Sequence, residues 1–187
     1  METSFTITLP AELIRAHNEN KLCVFIGAGV SRLLGCKSWE DLSNILIELC
    51  YKNHLLNFNE KEKIKKSNDS KKKITIAYEL LKKNGKVTED LFYRTMKDSF
   101  KCTKQDDEVV NSVYSNLYKI GDIFISTNVD EIFRKVFNEN SNTNYYYNKE
   151  KFIPEILNKL TRKTLFEIHG AISKKKSLVF TVVQYLS

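Results

Sequence analysis

The chain has 187 residues, 42% of them hydrophobic and 28% charged, and 30 Lys and Arg against 23 Asp and Glu give a net charge of +7. This is the profile of an ordinary globular chain, long enough for a single domain over residues 1–187 with a sizeable core. No apolar run nears the roughly 20 residues that a bilayer span requires, and residues 1–10 lack the basic-then-apolar pattern of a secretory signal; the expected location is cytoplasmic, with no membrane partner.

Residues 8–18 have helical spacing, with Leu9, Leu13, Ile14 and His17 on related faces. Leu22-Cys23-Val24-Phe25-Ile26 is a continuous apolar run, the pattern of a strand buried on both faces, with Cys23 as a small buried side chain. Gly27-Ala28-Gly29-Val30-Ser31 follows as a tight turn. A helix is predicted over 39–51, capped by Ser38 with Asp41 three residues on. Residues 57–73 are polar and hold Lys61, Lys63, Lys65, Lys66, Lys71, Lys72 and Lys73. With few aromatics between them, they read as an exposed connection or solvated face rather than a nucleic-acid patch. Helices are predicted over 74–83, 87–100 and 107–119, so the stretch from about 40 to 120 is a mainly helical insertion.

A second buried strand, 122–126, ends in Thr127-Asn128-Val129-Asp130 and leads into a helix with Ile132, Phe133, Val136 and Phe137. Residues 138–148 are rich in Asn and Tyr and read as loop or edge strand. A short helix is predicted over 153–160, with Pro154 in its first turn. A third strand, 164–168, ends in His169-Gly170, and a fourth short apolar run, Leu178-Val179-Phe180, leads to Thr181. Buried strands alternating with helices predict an α/β fold with a Rossmann-like parallel sheet flanked by helices. In such sheets ligands sit beyond the C-terminal strand ends, and all three polar motifs lie there.

The motifs supply complementary chemistry. Gly27 and Gly29 let the backbone approach a diphosphate closely, the N–H groups of the following helix start would face it, and Ser31 adds a hydroxyl. Position 32 is Arg32, so the full G-x-G-x-x-G spacing is absent. Asn128 and Asp130 can cap a helix, but capping needs only one of them. An amide and a carboxylate together can hold a carboxamide and a ribose hydroxyl. Among the three histidines, only His169 ends a buried strand, and an imidazole is suited to taking a proton near neutral pH. The four cysteines, Cys23, Cys36, Cys50 and Cys102, form no C-x-x-C pair, so no zinc module, no metal and no disulfide framework is expected.

Taken together, Gly27-Ala28-Gly29-Val30-Ser31, Thr127-Asn128-Val129-Asp130 and His169-Gly170 resemble the sirtuin family, in family order. The resemblance implies NAD as the nucleotide. Gly27, Ala28, Gly29 and Ser31 would cradle it. Asn128, after Thr127, would orient the nicotinamide ribose or a water, Val129 and Asp130 would hold the carboxamide, and His169 would be the general base. Asn128, Asp130 and His169 are thus the implied catalytic set.

Protein-deacylating sirtuins carry a G-I-P-D-F-R segment and a four-cysteine zinc module. Here the first is replaced by Gly35-Cys36-Lys37-Ser38-Trp39-Glu40-Asp41-Leu42. That segment, with Leu178-Val179-Phe180-Thr181 and Tyr185, is similar to divergent sirtuin-like domains of bacterial anti-phage systems. The resemblance to that branch implies an NAD glycohydrolase that depletes NAD during infection. It also implies action as a homo-oligomer, or in a larger defence complex with a second protein or C-terminal domain and a phage-derived trigger. An NAD-dependent deacylase and a non-catalytic NAD or ADP-ribose sensor are the competing readings. The family fold carries at least one further strand and helix, so the C-terminal part of the fold is expected to lie beyond Ser187.

Overall fold

A computed structural model describes residues 8–101, 103, 108–139, 144–147 and 163–181. Its centre is a four-stranded sheet of β1 (Cys23–Ile26), β2 (Ile123–Ser126), β3 (Asn144–Tyr147) and β4 (Thr164–Glu167), ordered β1-β2-β4-β3. Every neighbouring pair is parallel, and Ile26, Ser126, Glu167 and Tyr147 share one row at the C-terminal edge. The three motifs therefore emerge side by side, as parallel strands require. The Asn- and Tyr-rich stretch supplies the edge strand β3.

Helix α1 (Ala11–Asn18) precedes β1, and α2 (Ala28–Leu33) follows it. Between α2 and β2 run α3 (Trp39–Lys52), α4 (Phe58–Lys65), α5 (Ser70–Lys83), α6 (Lys86–Ser99) and α7 (Glu108–Ile120), while α8 (Ile132–Glu139) follows β2. Helix α3 starts where the sequence puts it: Ser38 Oγ accepts from the Asp41 N–H at 3.1 Å, and Asp41 accepts from the Ser38 N–H in return. This reciprocal cap satisfies two donors that the first helical turn leaves without intrahelical partners.

Four expectations need correction. First, 57–73 is exposed along much of its length, as expected, but it is helical rather than a connection, and two of its lysines are buried. Asn57 and Glu60 form a second reciprocal cap that starts α4, and Asp69 caps α5 through the Lys72 N–H. Lys61 lies over the Tyr51 ring at 4.2 Å, and buried Lys73 donates to Asn44 Oδ1 at 3.0 Å. Long lysine stems bury while their ammonium groups find partners, so charge density alone misread the stretch.

Second, β1 is not covered on both faces. Cys23 is exposed and Phe25 is 64% exposed, because β1 ends the row of described strands and only Ile26, with half-buried Val24, turns to the core. Third, Leu178-Val179-Phe180 forms no strand. A 3-10 turn over Lys175–Ser177 is followed by irregular backbone in which the Val179 N–H donates to the His169 carbonyl. Fourth, the glycine turn is a single residue: Gly27 is the N-cap and α2 begins at Ala28. The helix expected over 153–160 lies outside the described residues.

Two apolar clusters hold the layers. One packs Ile26, Leu34, Tyr114, Phe124, Phe133 and Leu165 around the sheet. The other fills the helical layer with Leu42, Leu46, Ile47, Ala77, Leu81 and Met96, and it includes Val129, Leu178 and Phe180 from the loops at the sheet's C-terminal edge. The helical layer is thereby anchored to those loops, with Trp39 against Phe100 and Phe180 at ring separations of 5.4 and 5.5 Å.

Gly170 is held at φ +77°, and a Cβ there would run into the Ser177 backbone and come within 2.6 Å of Ser177 Oγ. Both backbone conformation and space demand glycine. Gly170→Ala is expected to lower stability by about 2–4 kcal/mol, read as a reduced urea midpoint at unchanged m-value; an unchanged midpoint would show that the turn relaxes freely.

Candidate functional site

The C-terminal edge brings the first two motifs into direct contact. Asn128 is 8% exposed and its Nδ2 donates to the Gly27 carbonyl at 3.0 Å and to Ser31 Oγ at 2.7 Å. The Gly27 carbonyl can only accept, which fixes the amide's orientation. Ser31 in turn donates to Asp130 Oδ2 at 2.5 Å, with Tyr114 Oη 3.4 Å from the same hydroxyl. The result is a relay, Asn128 to Ser31 to Asp130, across the gap between β1 and β2. Asp130 also accepts the Ile132 N–H at 3.0 Å and so caps α8. Asn128 has no such duty, and its own N–H donates to Ser126 Oγ at 3.1 Å.

Two features of this relay point outward. Asn128 Oδ1 is buried and has no hydrogen-bond partner among the described residues, a state that costs about 1–3 kcal/mol unless a donor arrives. Burial also raises the Asp130 carboxyl above its ordinary value, against the lowering by the Ser31 hydroxyl and the Ile132 N–H. The Gly27 and Gly29 positions are open: a Cβ at either would meet nothing within 4 Å. The chain's own packing does not demand glycine there, whereas a closely approaching ligand would.

Thr127 joins the third motif to these. Its N–H donates to the Ile26 carbonyl at 3.0 Å, and its own carbonyl accepts a hydrogen bond from the His169 ring. Burial holds the His169 imidazole below the usual histidine value, with Lys71 adding to the lowering and the Thr127 carbonyl opposing it. His169 also lines a hollow of about 220 Å³ with Trp39, Ser70, Lys71, Ile74 and Phe180. Val129 is 1% exposed in the helical core and its carbonyl accepts the Ile172 N–H at 2.9 Å. Ala28 and Gly29 stand in the first turn of α2. A larger hollow, about 500 Å³, lies away from these motifs among Tyr51, His54, Leu55 and Glu60.

Sequence reasoning passed over a buried charged group beside the site. Glu167, at the end of β4, is 2% exposed and pairs with Arg134 of α8, and Arg134 also pairs with Glu131. Burial is the main cause that raises Glu167 to about 7; Arg134 pulls it down, and Glu131 and Asp130 push it up. The signal was present: a single carboxylate inside Leu165-Phe166-Glu167-Ile168 must find a partner if the strand is buried. Among the described residues no group of three or more His, Cys, Asp or Glu is placed to hold a metal ion. No helix among them is long and apolar enough to cross a membrane.

Residues 122–187 match the family model described as SIR2-like domain. The match supports a sirtuin-like domain and, in general terms, an NAD-related activity. It contains the second and third motifs but not the glycine turn, which is tied to the second by the Asn128 and Ser31 hydrogen bonds. No curated protein matches the chain.

The raised Glu167 value carries a pH consequence. Between about 4.5 and 7 the folded chain keeps a proton there that the unfolded chain has released, so stability falls as pH rises through that window. The lowered His169 value works in the opposite direction below its ordinary 6.5. Glu167→Gln removes only the first contribution. Urea midpoints measured between about pH 5 and 7 should therefore rise more steeply with pH, or fall less, in Glu167→Gln than in the wild-type chain. Parallel slopes would place the Glu167 titration outside this window.

Proposed function

We propose that this chain binds NAD at the C-terminal edge of its sheet and hydrolyses it to nicotinamide and ADP-ribose. The observation that carries the reading is the Asn128 amide, locked by Gly27 and Ser31 with its buried Oδ1 still wanting a donor. A ribose hydroxyl or a water is such a donor. In this reading the diphosphate approaches over Gly27, Ala28 and Gly29, where the backbone is open. The carboxamide is held by Asp130 and the Val129 N–H.

Hydrolysis breaks the bond between ribose C1′ and the nicotinamide nitrogen. Nicotinamide leaves with the bonding pair, and a water oxygen forms the new bond to C1′. The water's proton passes to His169, directly or through a ribose hydroxyl, and from there to solvent. A histidine below its usual value is neutral at pH 7 and ready to accept that proton. Asn128 orients the attacking water or the ribose, and the leaving group is already cationic, so the step asks the protein for positioning rather than for a strong acid. Hydrolysis is preferred to deacylation because the arginine-bearing segment and zinc cysteines of the deacylases are absent from the sequence. By resemblance, the proposal extends to NAD depletion in bacterial anti-phage defence, with self-association or a partner protein and a phage-derived trigger.

Incubation of the full protein with NAD, alone and with its genetic neighbours, should release nicotinamide and ADP-ribose without acetyl-lysine. Asn128→Ala and His169→Ala should each lower kcat/KM by about 100-fold or more; unchanged rates would dismiss the site. Tight NAD binding without turnover in any assembly would favour a sensor.

Gly29 separates ligand from fold. Gly29→Ala in α2 is expected to gain about 0.5–1 kcal/mol of stability from helix propensity while weakening NAD binding, measured by calorimetry. Unchanged affinity would mean that the nucleotide does not pass over this turn.

A further inference from the structure

The segment from Glu167 to Ser173 carries His169 near its middle, and its two ends are tied to Arg134 in the first turn of α8 and to Glu131 just before that helix, directly after Asn128 and Asp130. At the inner end, the Glu167 carboxylate pairs with Arg134. At the outer end, Glu131 accepts from the Ser173 N–H at 2.9 Å and from Ser173 Oγ at 2.7 Å. Arg134 closes the circuit by donating to Glu131 Oε1 at 2.5 Å. Side-chain exposure falls along this line, from 21% at Glu131 to 13% at Arg134 and 3% at Glu167. The brace therefore runs from the surface to the sheet end.

Its backbone geometry is also unusual. Glu131 sits at φ +57°, a left-handed conformation that few non-glycine residues adopt. Such a conformation persists only where its surroundings over-determine it, and here one carboxylate serves two donors on Ser173 and one on Arg134. Glycine, which would relieve the backbone, would supply none of these acceptors. Capping α8 does not need Glu131, since Asp130 does that.

We propose that Glu131, Arg134 and Glu167 are positioning residues, a charged brace that sets the His169 imidazole against Asn128 and Asp130. Glu131 fixes the far end of the His169 loop through Ser173. The inference rests on the reading of His169 as the base. It goes beyond that reading by assigning to three residues that touch no substrate the task of aligning those that do. Because misplacement by about 1 Å can cost roughly 100-fold in rate, loosening the outer end should act on turnover and not on nucleotide binding.

The test uses the full chain and Glu131→Gln, Ser173→Ala and Ser173→Thr. An amide cannot accept at both of its ends, so Glu131→Gln must lose a Ser173 or Arg134 contact. Glu131→Gln and Ser173→Ala should each lower kcat for nicotinamide release by about 10- to 100-fold, with KM changed by less than about threefold. The double variant should lose no more than the weaker single variant, and Ser173→Thr, which keeps the hydroxyl, should recover most of the rate. Multiplicative losses, a loss confined to KM, or full activity in Glu131→Gln would overturn the brace.

If the wild-type protein releases no nicotinamide, it is the cleavage reading that fails. The brace is then judged by the ring nitrogen resonances of His169. These should move in Glu131→Gln and Ser173→Ala while those of His17 and His54 stay fixed; unmoved His169 resonances would overturn it.

Discussion

The site depends on one buried amide. Asn128 reaches across from the end of β2 to the Gly27 carbonyl and the Ser31 hydroxyl at the end of β1, and Ser31 passes the connection to Asp130. Two strands joined by a long helical excursion could splay at their ends, because the ladder between them stops at the pair Ile26 and Ser126. After one further backbone bond, from the Thr127 N–H to the Ile26 carbonyl, the Asn128 amide continues the connection with side-chain hydrogen bonds. It thereby forces the glycine turn and the acidic turn to face each other. Its Nδ2 is satisfied by the protein, while its buried Oδ1 has no partner among the described residues.

The rest of the fold supports this edge from two sides. From within, the sheet cluster holds the strands in register, with Phe124 and Leu165 buried at 0% and 1% exposure. From outside, the helical layer reaches down through Trp39 and takes Val129, Leu178 and Phe180 into its own core. The loops after β2 and β4 are therefore parts of a packed interior, not surface connections. Loops so anchored can carry functional groups with little entropy to lose when a ligand arrives.

Much of this was legible in the sequence, for reasons that can be named. The strands β2 and β4 announce themselves as short apolar runs, and the parallel rule then puts their polar endings at one edge. The cap at Ser38 was visible because its chemistry is local. What stayed hidden was whatever depended on partners distant in sequence. Glu167 reads as an interruption in a strand until Arg134 is seen beside it. Lys61 reads as one more surface charge until Tyr51 and Phe58 are seen beneath it. Phe25 reads as core because nothing in a single strand tells whether a neighbour covers it. The irregular path of 178–180 escaped for the opposite reason: its apolar side chains are core, but they serve the helical layer and not the sheet.

The placement of Trp39 has a spectroscopic consequence. It is the chain's one tryptophan, wedged between Phe100 at the end of α6 and Phe180 from the segment that follows β4, on the wall of the hollow that His169 shares. Its emission therefore reports on a single seam, the docking of the helical layer onto the loops at the sheet's C-terminal edge. Circular dichroism, by contrast, averages over all the helices. If the two layers separate before either melts, fluorescence and dichroism will give different midpoints; if the seam is what makes the two layers one cooperative unit, the curves will coincide.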